Sequence, residues 1–341
     1  MCERARLKTT RGKRIVKAFN ECNLYKMALE KIVCIVGQTA MGKSNLAVAL
    51  AKKFNGEIIS ADSRQVYSGL DVGSGKITKR EMKGVKHYLL DIADPKGERY
   101  TAADFAADAK SAASDILSRR KLTIVCGGTG FYIENFLHGD LPDVPPNEKL
   151  RAKLKKLSAE ALMKELRRLD SARAKEIDPK NKVRIIRAIE IAKALGKVPK
   201  QKSKNIYDTL TIGLTLPPKE IREKIHARLS KRMRHDALVK EVLKLHARGV
   251  SWKRLYDFGL EYRQVALYLQ NKISKEKMLV DLENEIYRYS KRQMTWFKRD
   301  TRLDSRGRSV DARRENVKWF APSEKSKIEK IVKTFIDKKQ R

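Results

Sequence analysis

Apolar residues fall first into an unbroken run, "KIVCIVG" at residues 31–37, the pattern of a strand buried on both faces. Behind it, apolar residues recur at helical spacing from about Lys43 to Phe54, so strand, glycine-containing loop and helix follow one another. "GEIISADS" predicts a second strand and "KHYLLDIADP" a third. "TAADFAADAKSAASDILSRR" has helical spacing, with Thr101 at the N-cap and Asp104 three residues on, the arrangement of a capping box. "KLTIVCGGTG" predicts a fourth strand that ends in glycines, and "FYIENFL" begins the next helix. Strands alternating with helices imply right-handed crossovers and a largely parallel sheet covered on both faces.

The pattern changes after Gly139. "DLPDVPPNEKLRAKLKKL" is a proline-rich linker into charged helices, whose apolar spacing continues to about Leu195. "YDTLTIGLTLPP" is strand-like again and could rejoin the first sheet. The chain is then helical and basic to about Arg299, with a last weak strand at "NVKWFAP". The simplest organisation is a core of residues 31–140 and 207–330, interrupted by a helical insertion at 141–206. Residues 1–30 form a basic extension outside it. Within that extension Met27 opens "MALEKIVCIVG" as a natural start would, so residues 1–26 receive no function.

Charge narrows the class. The 341 residues hold 77 Lys and Arg against 41 Asp and Glu, a formal charge of +36, and the usual partner of so basic a chain is nucleic acid. The basic residues spread along the whole length instead of forming one arm, which a generally lysine-rich proteome would also produce. The four cysteines form no CxxC pair, and Cys34 and Cys126 lie in apolar runs, which argues for buried thiols over a zinc site or disulfide framework. No apolar run is long enough to span a bilayer. These features together fit a soluble, cytoplasmic protein.

"GQTAMGKS" at 37–44 has the form GxxxxGKS between a strand and a helix, a phosphate-binding loop in its proper context. Its backbone N–H groups turn toward one point at a helix N-terminus and make an anion site. Lys43 would reach phosphate oxygens and the Ser44 hydroxyl would hold Mg²⁺. The loop therefore predicts an α/β fold of the P-loop NTPase kind, and a bound di- or triphosphate. In such a sheet ligands collect beyond the carboxyl ends of the strands, where Gly37, Asp62 and Thr129 should meet. From spacing alone Asp62 is a metal ligand, a general base or an N-cap for "SRQVY", and Thr129 a phosphate contact or a helix cap. "YSKRQMTWFKRD" at 289–300 interleaves basic and aromatic residues. It reads either as an RNA-stacking helix or as an amphipathic helix that packs Tyr289, Gln293, Trp296 and Phe297.

These segments together resemble the tRNA dimethylallyltransferases, also called tRNA isopentenyltransferases, from about residue 31 to residue 300. "ISADSRQVYSGLDVGSGK" is similar to the family's DSxQVYxGMDIGTAK signature. "HYLLDIADPKGERYTAADF", "GGTGFYI", "DPKNKVRIIRAIEI" and "KRQMTWFKR" follow in the family's order. The resemblance implies that the loop holds dimethylallyl diphosphate instead of an ATP tail. The acceptor would be N6 of the adenosine immediately 3′ of the anticodon in tRNAs that read codons beginning with U. By position it implies Asp62 as general base, Thr129 near the bridging oxygen of the prenyl donor, and Lys43 and Ser44 with Mg²⁺ on the leaving diphosphate. Gly37, Gln38, Thr39, Ala40, Met41, Gly42, Lys43, Ser44 and Arg228 would bind diphosphate. Asp62, Ser63, Arg64, Gln65 and Thr129 would meet the flipped-out adenosine and its neighbours. Arg151, Val183, Arg184, Ile185, Ile186 and Arg187 would contact tRNA from the helical insertion.

The sequence departs from the family pattern at Met41, where a small residue is usual, at Ile77, where proline is common, and at Glu261, where glycine is common. The last change sets a negative charge in a region expected to face RNA. No zinc-finger segment follows residue 299, so the resemblance is to the bacterial type, and a monomer suffices. The competing classes are a phosphate-loop kinase of a nucleotide or small metabolite, which leaves the charge unexplained, and a non-catalytic RNA-binding protein. The second leaves Asp62, Lys43 and Thr129 without a purpose together.

Overall fold

A computed structural model of the chain describes residues 29–138, 142, 144–199, 206–298 and 317–338. Residues 1–28, and Arg299 and Asp300 at the end of the last family motif, lie outside the described residues. Strand β1 (Lys31–Gly37) leads into helix α1 (Lys43–Lys53) and strand β2 (Gly56–Ala61). A one-turn helix α2 (Lys79–Met82), strand β3 (His87–Tyr88), helix α3 (Ala102–Ser118), strand β4 (Leu122–Gly127) and helix α4 (Gly130–His138) follow. All strands pair in parallel, in the order β3-β2-β4-β1-β5-β6, where β5 is Asp208–Leu214 and β6 is Lys318–Phe320.

The unbroken apolar run of β1 follows from burial on both sides. Val33 and Ile35 pack with Leu46 and Leu50 of α1, while Ile32, Cys34 and Val36 pack with Phe105, Ala109 and Ile116 of α3. Thr101 caps α3 in the expected capping box with Asp104. The third strand is much shorter than "KHYLLDIADP" suggests. Leu89 and Asp91 take positive φ of 62° and 57°, so the chain turns out of the sheet after Tyr88 and only Ala93 bridges back, to Tyr67.

Between β4 and β5 the chain forms α5 (Glu148–Lys155), α6 (Ala159–Leu169), α7 (Ser171–Glu176) and α8 (Lys182–Leu195), which close a small core of their own around Leu162, Leu166, Ile185 and Ile189. After β5 come α9 (Pro218–Met233), α10 (Ala237–Ala247), α11 (Trp252–Phe258), α12 (Leu260–Leu269) and the long α13 (Lys275–Lys298). α14 (Lys325–Asp337) ends the described chain. No helix among the described residues is long and apolar enough to cross a membrane.

Candidate active site

The register pairs Gly37 with Leu214 and Ala61 with Gly127, so β1, β2, β4 and β5 end at one level and their following loops share one crevice. Gly37 takes φ of 128°, and a side chain there would collide with the Leu214 carbonyl, so only glycine lets the loop leave the sheet at this point. Ala40 and Gly42 also have positive φ, 65° and 77°, which turns the loop into the N-terminus of α1. Met41 and Gln38 point inward and are buried, so the loop offers its backbone and not these side chains.

Lys43 folds over the loop and donates to the Gln38 carbonyl at 2.7 Å. Burial lowers its pKa to about 8, helped by the Arg228 guanidinium and opposed by Cys126 and Asp62. The Cys126 thiol is itself pushed up to about 12 by burial and is neutral at pH 7, which leaves Asp62 as the anion that supports the Lys43 charge. Arg228 reaches in from α9 and donates from Nη1 to Thr39 Oγ1 at 3.1 Å. Burial first, then Arg232 beside it, draw its pKa down to about 10, so it remains a cation at neutral pH. Two separate helices, α1 and α9, thus bring two cations onto one loop.

Across the crevice Asp62 Oδ1 accepts from the backbone N–H of Arg64 at 2.8 Å and of Gln65 at 3.4 Å. It therefore caps the "SRQVY" turn while remaining half-buried beside the phosphate loop. Thr129 Oγ1 accepts from the Ser63 N–H at 3.1 Å, which ties the turn after β4 to the turn after β2. Arg64 donates from Nε to the Phe258 carbonyl at 2.6 Å, and Gln65 Oε1 accepts from Ser60 Oγ at 3.1 Å. Both residues line the crevice with side chains already held in place. Among the described residues the Ser44 hydroxyl, in the first turn of α1, has no hydrogen-bond partner, and no cluster of three His, Cys, Asp or Glu occurs.

Sequence reasoning sets Gln293 of α13 on a packed stripe but gives it no part in the site, and it stands at the centre of the assembly. It is 5 % exposed; its Oε1 accepts from the Thr39 N–H at 2.8 Å and its Nε2 donates to the Gly128 carbonyl at 3.0 Å. One side chain joins the phosphate loop to the turn that carries Thr129, and it occupies the loop N–H of Thr39. The motif "KRQMTWFK" could have marked it, because an uncharged Gln stands on the apolar stripe of Met278, Leu282 and Ile286. Two aromatic rings of α13 are packed. Trp296 lies against Gly130 and 6.1 Å from the Phe131 ring, and Phe297 joins the core of α3 and α4. This is the packing the amphipathic-helix reading expects of Trp296 and Phe297, while Lys291, Arg292 and Lys298 stay exposed.

In the α5–α8 unit, Ile185 and Ile186 are core residues, so their side chains are not open to a partner. Val183 and Arg184 are exposed, Val183 by 78 %. Arg151 and Arg187 both donate to Glu190, which is buried and also accepts from the Asn147 N–H at 2.6 Å. These two arginines brace the start of the unit and keep part of their surface open. Glu261 is 9 % exposed and paired with Arg232 at 2.7 Å, so its carboxylate is not presented at the surface.

A phosphate loop at the carboxyl end of a parallel sheet, with Lys43 and Arg228 on it and a carboxylate facing it, defines a phosphate-loop enzyme built to handle a phosphorylated substrate. The comparisons narrow that class. The model of the family described as IPP transferase matches residues 65–300. A tRNA dimethylallyltransferase of Anoxybacillus flavithermus is 37 % identical over 79 % of this chain and 88 % of its own. A tRNA dimethylallyltransferase 2 of Treponema denticola is 42 % identical over 78 % of this chain and 91 % of its own. The solved tRNA isopentenylpyrophosphate transferase of Bacillus halodurans aligns with a TM-score of 0.66 at 33 % identity, over 90 % of this chain and 97 % of that one. A eukaryotic dimethylallyltransferase solved acting on tRNA aligns at 0.75 and 25 % identity, over 90 % of this chain and 79 % of that one. The chain belongs to the IPP transferase family, the tRNA dimethylallyltransferases.

Proposed function

We propose that this protein transfers a dimethylallyl group from dimethylallyl diphosphate to N6 of the adenosine immediately 3′ of the anticodon, in tRNAs that read codons beginning with U. The observation that carries the reading is the single crevice in which Asp62 faces a loop held by Lys43, Arg228 and Gln293, in a chain of this family.

In the reaction the adenine amine attacks the allylic carbon, the bond from that carbon to the diphosphate oxygen breaks, and its electron pair leaves with the diphosphate. An exocyclic amine is a weak nucleophile, so proton removal by Asp62 and stabilisation of the leaving group are the help it needs. Oδ1 of Asp62 is committed to the Arg64 turn, which fixes the carboxylate and leaves its other oxygen for the amine proton. Lys43, Arg228 and the loop N–H groups other than that of Thr39 take the charge of the diphosphate. The Ser44 hydroxyl is a hard oxygen donor that suits Mg²⁺, with diphosphate oxygens and water as the other ligands, and the ion when bound supplies further charge neutralisation. The target base must leave its stack to reach the crevice, which suits a nucleotide in a loop. Exposed Val183 and Arg184 and the open faces of Arg151 and Arg187 would hold the anticodon stem. The enzyme acts as a monomer in the cytoplasm, where its tRNA substrate is found.

The test is transfer from radiolabelled dimethylallyl diphosphate to unmodified tRNA with Mg²⁺ and without ATP, followed by nucleoside analysis. Label on the adenosine beside the anticodon is the expected result. ATP turnover in the absence of tRNA, with no label transferred, would replace this reading with a small-molecule kinase.

A further inference from the structure

Behind the phosphate loop lies a second charged layer that the reaction as described does not use. Arg232 follows Arg228 by one turn of α9, so the two cations share a face of the helix, where like charges repel. Both guanidiniums press on the backbone at Gly75, and a side chain at that glycine would collide with Nη2 of each. The Gly75 turn cannot yield to them. Glu241 accepts from the N–H groups of Asp71, Val72 and Gly73 at 3.0, 2.6 and 3.0 Å, and the Tyr262 hydroxyl accepts from the Ser74 N–H at 3.1 Å. Tyr262 in turn donates to Glu241 at 3.0 Å, so the wall is closed from α10 and α12 together.

Arg232 is paired with Glu261, whose Oε1 accepts from Arg232 Nη1 at 2.7 Å. The side chains of the pair are 10 % and 11 % exposed. Such burial excludes contact between the Glu261 carboxylate and an RNA, and it makes the charge of the pair felt by its neighbours with little screening. The neighbours are the groups of the phosphate site. Arg232 acts on Arg228 as a like charge, while Glu261 and Asp62 both support the Arg228 cation. Around Arg228 stand two further cations, Lys43 and Arg232, and the carboxylates of Glu261, Asp62 and the more exposed Glu81.

We infer that Glu261 and Arg232 form a buried positioning pair that sets the charge at the diphosphate end of the site. Arg232 adds to the hold on a diphosphate, and Glu261 limits that hold so that the product can leave. The inference rests on the reading of the loop as a diphosphate site. It assigns Glu261 to the prenyl-donor side of the crevice and not to RNA recognition.

The experiment measures inhibition by inorganic diphosphate, the KM for dimethylallyl diphosphate and the Kd for unmodified tRNA. It compares the wild-type chain with Glu261→Gln, Arg232→Gln and the double variant, each checked for an unchanged melting curve. Removing the carboxylate should tighten diphosphate inhibition and lower the KM for the prenyl donor, on the order of tenfold, with tRNA affinity within about twofold of wild type. Arg232→Gln should weaken diphosphate by about the same factor, and the double variant should return to within about threefold of wild type because the charge is again balanced. Tighter tRNA binding by Glu261→Gln with unchanged diphosphate inhibition would overturn the inference and return Glu261 to the RNA side. So would weaker diphosphate binding in Glu261→Gln, or a double variant no closer to wild type than the singles. If a single variant fails to fold, the double variant decides alone, since a loss of diphosphate affinity in it beyond tenfold would also overturn the pairing. A wild-type enzyme that transfers its group yet is not inhibited by diphosphate would refute the diphosphate reading itself, and this inference with it.

Discussion

Gln293 is the residue whose loss should separate assembly of the site from chemistry in it. In Gln293→Leu the side-chain volume is nearly kept, but the Thr39 N–H and the Gly128 carbonyl both lose their partner. A buried polar group left unsatisfied costs about 1–3 kcal/mol. Thr39 borders the crevice, where water can replace the lost bond, so its share is at the low end, and Gly128 is fully buried. Together they amount to about 3 kcal/mol. With an unfolding entropy near 2.1 cal/mol/K per residue, a chain of this length should melt about 4 °C lower. The loop also loses its tie to the Thr129 turn, so the KM for the prenyl donor should rise by about tenfold or more, while tRNA affinity stays within about twofold. Gln293→Glu keeps the acceptor for Thr39 but sets a carboxylate against the Gly128 carbonyl and beside the diphosphate, and it should raise that KM further. Differential scanning calorimetry and steady-state kinetics read the two effects. A melting shift below about 1 °C together with an unchanged prenyl-donor KM would refute the argument that Gln293 joins the two turns.

Asp62→Asn retains the Oδ1 acceptor that caps the Arg64 turn, so tRNA binding should persist while transfer falls by about 10²–10⁴-fold; near-normal turnover in a single-turnover assay would remove Asp62 as the base. The Lys43 ammonium, drawn down to about 8 chiefly by burial, is charged below that pH and loses its proton as pH rises through it. Diphosphate inhibition should accordingly be level below pH 8 and weaken above it, and Lys43→Arg should flatten that limb in titrations from pH 6.5 to 9.5, as about one proton is at stake. At the far end of the sheet Glu57 is buried and held near 2, first by its bond to Arg119 and then by Lys121 and Tyr88. A carboxyl depressed below its unfolded value stabilises the fold above that value, and the stabilisation disappears as pH falls from about 4.3 toward 2. It amounts to about 3 kcal/mol at most, so the stability gap between wild type and Glu57→Gln should stay level from pH 7 to about pH 5 and then shrink as urea unfolding is followed down to pH 3.

The sequence by itself determined whatever depends on neighbours along the chain. The run of β1, the glycines of the loop and the spacing of α1 are local, and they specify a strand, an anion-binding turn and a helix whatever else surrounds them. Thr101 and Asp104 specify the start of α3 in the same way. Parallel pairing followed from the alternation of strands and helices, and with it the expectation that Gly37, Asp62 and Thr129 would meet. Spacing left Asp62 open among its roles; the fold makes it both the cap of one turn and the carboxylate of the crevice, and it commits Thr129 to the Ser63 N–H.

Tertiary structure alone decided the partners that are distant in sequence. Nothing near Thr39 announces that its N–H belongs to Gln293, 254 positions away, and nothing near Glu261 announces Arg232. Hydrophobic periodicity records which face of a helix is apolar, and so can set Gln293 on the packed stripe, but not which polar group finds a buried partner there. Resemblance alone marks "VRIIR" as a tRNA contact segment. The α8 helix turns its two isoleucines into the small core and braces Arg187 on Glu190, and that choice was made by packing.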